Sequence, residues 1–291
     1  MLYGTLEAGG TKMVTGLINE KGEVLERASF PTETPEKTMP VLIDWFKERK
    51  PDALGIGTFG PADLDETSPT YGYITSTPKL DWRDYNLLGA FKEALGIPIG
   101  FDTDVNAAAL GEATFGCMKG LSDGIYITIG TGVGVGVLTN GKLLHGMLHP
   151  EAGHILLRQN PIDRFEGNCP YHRNCFEGLA AGPAIEKRYG KSAKELKDIP
   201  EVWELEAEYI SQALVNYIMI LSPKKIVLGG GVMHQEQLFP LVRKKTLDLL
   251  NRYINTKEIA DIDNYIVPAS LNDNQGILGC ARLAELALNA R

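Results

Sequence analysis

The chain has 291 residues, 44% of them hydrophobic and 23% charged, with a formal net charge of −8. At about 100–200 residues per domain, this length suggests two domains with a core each, and the composition leaves no long stretch that must stay disordered. The acidic balance and the lack of a basic run argue against nucleic acid as a partner, so any bound nucleotide must be gripped locally by backbone N–H groups, hydroxyls and a metal ion.

Strand and helix patterns alternate along the chain, and they do so twice. Residues 2–8 read as a strand, Gly9-Gly10 as a tight turn, 13–18 as a second strand, and 24–30 as a third after the turn Glu20-Lys21-Gly22. Thr34 can cap a helix with Pro35 at its first position and Met39, Leu42, Ile43 and Phe46 on one face. A buried strand over 53–59 follows, then a helix near 87–95, a strand over 97–101 and a small-residue helix over 105–115. The order then repeats with strand 124–129, the turn Gly130-Thr131-Gly132, strand 133–138, the turn Asn140-Gly141 and strand 142–145. A helix over 202–221, strand 225–228, helix 238–253, strand 265–268 and a last helix from Asn274 complete the second half. Both halves read βββαβαβα, the second with an insertion of zinc-binding type. The expected division is a small lobe over 1–115, joined by the last helix over 274–291, and a large lobe over 116–273, the two touching along a cleft.

Residues 1–4 enter the first strand with no basic and then apolar leader, and no window reaches the roughly 18 apolar residues of a membrane span. A cytoplasmic protein without a membrane partner is therefore expected. In that reducing setting Cys117, Cys169, Cys175 and Cys280 are not expected to form disulfides, and Cys117 and Cys280 are expected to be buried.

The chemistry sits where strands end. Glu7-Ala8-Gly9-Gly10-Thr11-Lys12 opens a strand into a turn where the backbone can approach an anion, with a hydroxyl and an ammonium following. Alone it reads equally well as a hairpin. Its echo, Ile129-Gly130-Thr131-Gly132-Val133-Gly134-Val135-Gly136, carries more glycine than strand pairing tolerates comfortably, and two such loops facing across a cleft would grip the β- and γ-phosphates of a nucleotide. Neither loop fits the dinucleotide or P-loop register. Gly229-Gly230-Gly231-Val232 ends another strand, where bare backbone could receive an adenine or ribose. In Asp102-Thr103-Asp104-Val105-Asn106, Asp104 is either the N-cap of the small-residue helix or a base that accepts a hydroxyl proton during phosphoryl transfer. The most specific local signal is His154 followed by Cys169, His172 and Cys175, four N/S ligands with the spacing of a closed, structural Zn²⁺ site. Glu151 and Glu177 flank it, and ordering of that loop could aim both carboxylates at sugar hydroxyls.

Taken together these segments resemble the ROK family of sugar kinases and repressors, and within it the fructokinase branch. The resemblance rests on GGTK at 9–12, DxNAAALGE at 104–112, GTGVGxG from 130, ExGH at 151–154, CxE at 175–177, LAAGPA at 179–184 and GGGV at 229–232, in family order along the whole chain. It implies the two-lobed actin-like (ribonuclease H-like) α/β fold and an ATP-dependent hexose kinase in which Asp104 is the catalytic base. The resemblance also places Gly60, Pro61, Thr103, Glu151, His154 and Glu177 around the sugar. Around Mg-ATP it places Gly9, Gly10, Thr11, Lys12, Gly130, Thr131, Gly132, Gly182, Pro183 and the turn of Gly230, Gly231, Val232, Met233 and His234. Glu7 stands where many members have Asp, and is the expected residue near Mg²⁺. Thr103 replaces a common Asn, and the zinc loop has His172 in place of a third Cys. D-Fructose is implied by the branch alone; a glucokinase- or mannokinase-type acceptor is the alternative. A homodimer is expected on the resemblance and on the frequency of two-fold oligomers. A DNA-binding regulator of the same family is not expected, because no helix-turn-helix pattern precedes the first strand.

Overall fold

The structure is a computed structural model and describes residues 1–290. The chain divides into two compact bodies, one of residues 1–120, 142–150 and 270–290, the other of residues 121–141 and 151–269. Strands β1 (Leu2–Ala8), β2 (Lys12–Asn19) and β3 (Val24–Pro31) form an antiparallel meander, and helix α1 (Pro35–Arg49) leads to β4 (Ala53–Thr58). A short pair, β5 (Tyr73–Ile74) and β6 (Tyr85–Asn86), precedes α2 (Leu87–Leu95), β7 (Ile99–Thr103) and α3 (Asp104–Thr114). The main sheet of the first body has the order β3-β2-β1-β4-β7, with β1, β4 and β7 parallel.

In the second half, β8 (Gly124–Ile129), β9 (Val133–Thr139) and β10 (Lys142–Leu143) repeat the meander. They are followed by α4 (Phe176–Ala180), α5 (Gly182–Tyr189), α6 (Pro200–Leu221), β11 (Ile226–Gly229), α7 (Leu238–Leu250), α8 (Lys257–Ala260), α9 (Ile262–Tyr265) and β12 (Ile266–Pro268). This sheet has the order β10-β9-β8-β11-β12, with β8, β11 and β12 parallel. The two orders are the same list of steps, so the duplication expected from the strand pattern is present in the topology. Helix α10 (Gln275–Asn289) belongs to the first body.

The parallel strands β1 and β4 and the neighbouring β2 are covered on both faces, whereas the edge strand β3 alternates exposed and half-buried residues. Leu6, Met13, Leu17, Leu54 and Ile56 pack with Leu42, Phe46 and Phe91 of α1 and α2. Tyr3, Val14, Ile18 and Ala53 pack with Ile277, Leu278, Ala281 and Ala284 of α10. The period of two along β1 thus turns Glu7 toward α10, where a Cβ added at Gly276 would lie 2.5 Å from the Glu7 carboxylate. No helix among the described residues is long and apolar enough to cross a membrane.

Some expected boundaries move. Strand 97–101 starts later, at Ile99, because Pro98 has no N–H for the ladder and offers only its carbonyl, to Leu54 N at 2.9 Å. Helix 238–253 ends at Leu250, where Asn251 and Arg252 take left-handed φ of 46° and 62°. Helices α4 and α5 were not expected. Cys280 is buried as expected, whereas Cys117 is half-exposed.

Candidate functional site

In the first body, the candidate residues gather at the carboxyl ends of β1, β4 and β7. Gly9 N donates to Lys12 O at 3.1 Å and Thr32 Oγ1 to Gly9 O at 2.7 Å, so the turn is braced from β3's end while Thr11 and Lys12 are exposed. The peptide between Gly60 and Pro61 is cis, and the loop is held by Thr75 N and Thr75 Oγ1 donating to Pro61 O. The side chain of Lys79, a residue the motif reading passed over, lies against Gly10: a Cβ there would sit 3.0 Å from Lys79 Cε.

The N-cap of α3 is Thr103 and not Asp104. Thr103 Oγ1 accepts from Asn106 N at 3.2 Å, and Asp104 occupies the first helical position with Oδ1 accepting from Val105 N at 2.8 Å. The Thr that replaces the common Asn therefore has a structural task. Asp102, one residue earlier, is buried and accepts from Thr103 N and Asn106 Nδ2, both at 2.7 Å, and from His145 Nε2 at 2.9 Å. Burial raises the Glu7 carboxyl above its usual range, against the opposing pull of Arg27 and Lys12.

In the second body, the turn after β8 meets three other candidate segments. Gly130 N donates to Gly132 O at 2.9 Å, and Gly130 O accepts from Gly182 N at 2.8 Å, which sets the start of α5, with Pro183 in its first turn, against the turn. Val133 N donates to Glu177 Oε2 at 3.0 Å, and a Cβ at Gly132 would lie 2.7 Å from that oxygen, so a side chain there would displace the Glu177 carboxylate. Gly230 has φ of 89° and crowds Ile129 so closely that a side chain would strike its backbone. The one-turn helix Gly231–His234 follows it. Gly130, Gly132, Glu177, Gly182, Gly230 and Gly231 are thus brought to one end of the second sheet.

Glu151 precedes the short helical turn Ala152–His154. Its side chain keeps solvent-accessible surface but is recessed among protein atoms, and this desolvation with the nearby Glu177 carboxylate pushes its carboxyl up to about 7. Tyr217 Oη holds the same turn by donating to Ala152 O at 2.6 Å.

His154, Cys169, His172 and Cys175 converge, with their ligand atoms all within 4.8 Å of one another. His154 Nδ1 is 3.7 Å from Cys169 Sγ and 3.5 Å from Cys175 Sγ, and His172 Nδ1 is 3.7 Å from Cys169 Sγ. A tetrahedral zinc with Zn–N of about 2.0–2.1 Å and Zn–S of about 2.3 Å sets its N and S ligands about 3.5 Å apart, so the cluster has the right size for one ion. The sulfurs also have the N–H donors that support thiolates: His172 N to Cys169 Sγ at 3.5 Å and Gly178 N to Cys175 Sγ at 3.4 Å. Burial pushes the Cys175 thiol up to about 12, so a bound cation is what would keep it a thiolate.

A model of the ROK family matches residues 3–287 of the chain. The chain is 48% identical over 288 residues to a fructokinase of Pediococcus pentosaceus, with 99% of each chain covered. It is 43% identical over 297 residues to a fructokinase of Zymomonas mobilis subsp. mobilis, with 99% of this chain and 98% of that one covered. Among solved structures, a ROK hexokinase of Thermus thermophilus is similar with a TM-score of 0.81 at 27% identity, both chains being covered in full. The family match takes in both sheets, all three glycine turns and the Cys–His cluster, and the chain belongs to the ROK family.

Proposed function

We propose that this protein is an ATP-dependent fructokinase, which moves the γ-phosphoryl group of Mg-ATP to D-fructose to give D-fructose 6-phosphate and ADP. The observation that carries this reading is its similarity along nearly the full length to fructokinases. The arrangement of carboxylates and glycine turns supports it.

Asp104 is assigned as the base. It stands at the mouth of the β7–α3 turn, and its carboxylate takes the proton of the sugar hydroxyl as the hydroxyl oxygen bonds to phosphorus and the bond to the ADP oxygen breaks. A base of this kind is worth about 10²–10⁴-fold, so positioning and charge neutralisation supply the rest. Gly9, Gly10, Thr11 and Lys12 are assigned to the phosphates, as are Gly130, Thr131, Gly132 and the start of α5 at Gly182 and Pro183. The Gly230 to His234 turn is assigned to the adenosine. Glu7 is assigned to the Mg²⁺ that enters with ATP, since a nearby cation would offset the burial that disfavours its charge.

Gly60, Pro61, Thr103, Glu151, His154 and Glu177 are assigned to the sugar side. A zinc held by His154, Cys169, His172 and Cys175 would have all four positions filled by protein and would order a loop without activating water. A cytoplasmic homodimer completes the reading; the free cysteines suit a reducing compartment.

The test is ADP release from purified protein with Mg-ATP and fructose, glucose, mannose or no sugar. Fructose is expected to give the highest kcat/KM. Equal ADP release with and without any hexose overturns the kinase reading, and a clear preference for glucose or mannose overturns the fructose assignment.

A further inference from the structure

The segment over 144–150 belongs to the first body and carries two histidines in different settings. His149 is buried, and its Nε2 accepts from Ala62 N at 3.2 Å, so it anchors the segment to the residue after the Gly60-Pro61 loop. His145 has a side chain 40% exposed, yet its Nε2 is directed at Asp102 Oδ2, 2.9 Å away, on a side chain only 4% exposed.

Asp102 is the hub of the β7–α3 turn. Oδ1 binds Thr103 N and Asn106 Nδ2, the residues on either side of Asp104 and Val105 in the chain, and Oδ2 is left for the imidazole. The orientation of this carboxylate sets the turn from 103 to 106, and a residue 43 positions away sets the orientation of the carboxylate. A group that must meet a hydroxyl and a phosphorus in line has to be held to within about 0.5 Å, and a displacement of about 1 Å can cost 10²-fold in rate.

We infer that His145 is a positioning residue for phosphoryl transfer: its hydrogen bond to Asp102 fixes the turn from 103 to 106 and with it the Asp104 carboxylate. The inference rests on the reading of Asp104 as the base. It assigns to the segment between the second meander and the ExGH motif a role in the transfer step that is separate from sugar contact.

The test uses the full chain with Mg-ATP and fructose, comparing His145→Leu, His145→Gln and His145→Asn, each checked by thermal melting. The leucine variant is expected to lose about 10–100-fold in kcat with the KM for ATP unchanged. Glutamine places an amide nitrogen where Nε2 was and is expected to recover most of the loss; asparagine is too short and is not. If the leucine variant fails to fold, the contrast between glutamine and asparagine decides. Equal kcat in all variants overturns the inference, as does a glutamine variant as slow as asparagine while melting like the parent. Asp104→Asn is measured alongside. If it keeps the parent's turnover, the assignment of the base fails, whatever the His145 series shows.

Discussion

Glu177 accepts a hydrogen bond from Val133 N at 3.0 Å, and its helix α4 is capped by Cys175, whose sulfur accepts from Gly178 N at 3.4 Å. A candidate metal ligand that caps a helix, a candidate sugar carboxylate and the second glycine turn are therefore linked through two hydrogen bonds. Because α4 has only five residues, it cannot hold itself together without that cap and the packing of Phe176 and Leu179. Removing the ion is expected to loosen the segment from 154 to 178 first. Purified protein is expected to contain about one zinc per chain. Chelation should raise protease sensitivity within that segment and lower turnover, since structural zinc binding is coupled to local folding. Absence of stoichiometric zinc, or chelation that leaves the cleavage pattern unchanged, would contradict this.

Asp104→Ala is expected to lower turnover by about 10²–10⁴-fold with a small change in ATP affinity. The cap of α3 is Thr103, so the substitution keeps the cap and removes only the Val105 N–H bond to Asp104 Oδ1, and melting should shift little. Turnover near that of the parent would exclude Asp104 as the base.

Asp102 also makes a prediction about pH and stability. Its hydrogen bond and charge raise the His145 pKa above the ordinary value of about 6.5, burial opposing them. The titratable groups facing this imidazole are Asp102 from β7 and, from its own segment, His149, whose pKa burial lowers. A folded pKa above the unfolded one means the folded chain binds the proton more tightly. Its contribution is full below about pH 6.5 and is lost as pH rises through the raised value. His145→Gln keeps a hydrogen bond but cannot take the charge. The Tm advantage of the parent over this variant should be largest near pH 6 and shrink toward pH 9. An advantage that grows with pH would reverse the assigned sign.

What could be read from the sequence was what is local. The four candidate zinc ligands lie within 22 residues of chain, from His154 to Cys175, and the glycine turns follow strands of clear period, so spacing alone brought them forward. Helix α5 was missed because Ala181-Gly182-Pro183 reads as a breaker, although proline is well placed in a first turn. Helix α4 is too short for a helical period to show. The His145–Asp102 pair joins residues 43 apart, and no pattern along the chain marks a contact made by folding. The sequence left Asp104 open as a cap or a base, and only the hydrogen bond from Asn106 N to Thr103 Oγ1 shows that the cap is its neighbour.

Glu112, at the far end of α3, is fully buried and accepts from Ser270 N at 2.7 Å, Ser270 Oγ at 2.6 Å and Cys117 N at 3.1 Å. Cys117 lies just before the chain first leaves the first body, and Ser270 is where it returns for the last time, so one carboxylate ties these two stretches of that body together. Replacing it with alanine strands the Ser270 N–H and the Ser270 hydroxyl around a cavity, while Cys117 N keeps Ser270 Oγ at 2.9 Å. At roughly 1–3 kcal/mol for each buried group left unsatisfied, a loss of about 2–4 kcal/mol is expected. Glutamine keeps one acceptor and should cost less than alanine. Urea unfolding of the parent, Glu112→Gln and Glu112→Ala measures this order directly. An alanine variant as stable as the parent would show that water replaces the carboxylate at no cost and that these hydrogen bonds do not hold the two stretches together.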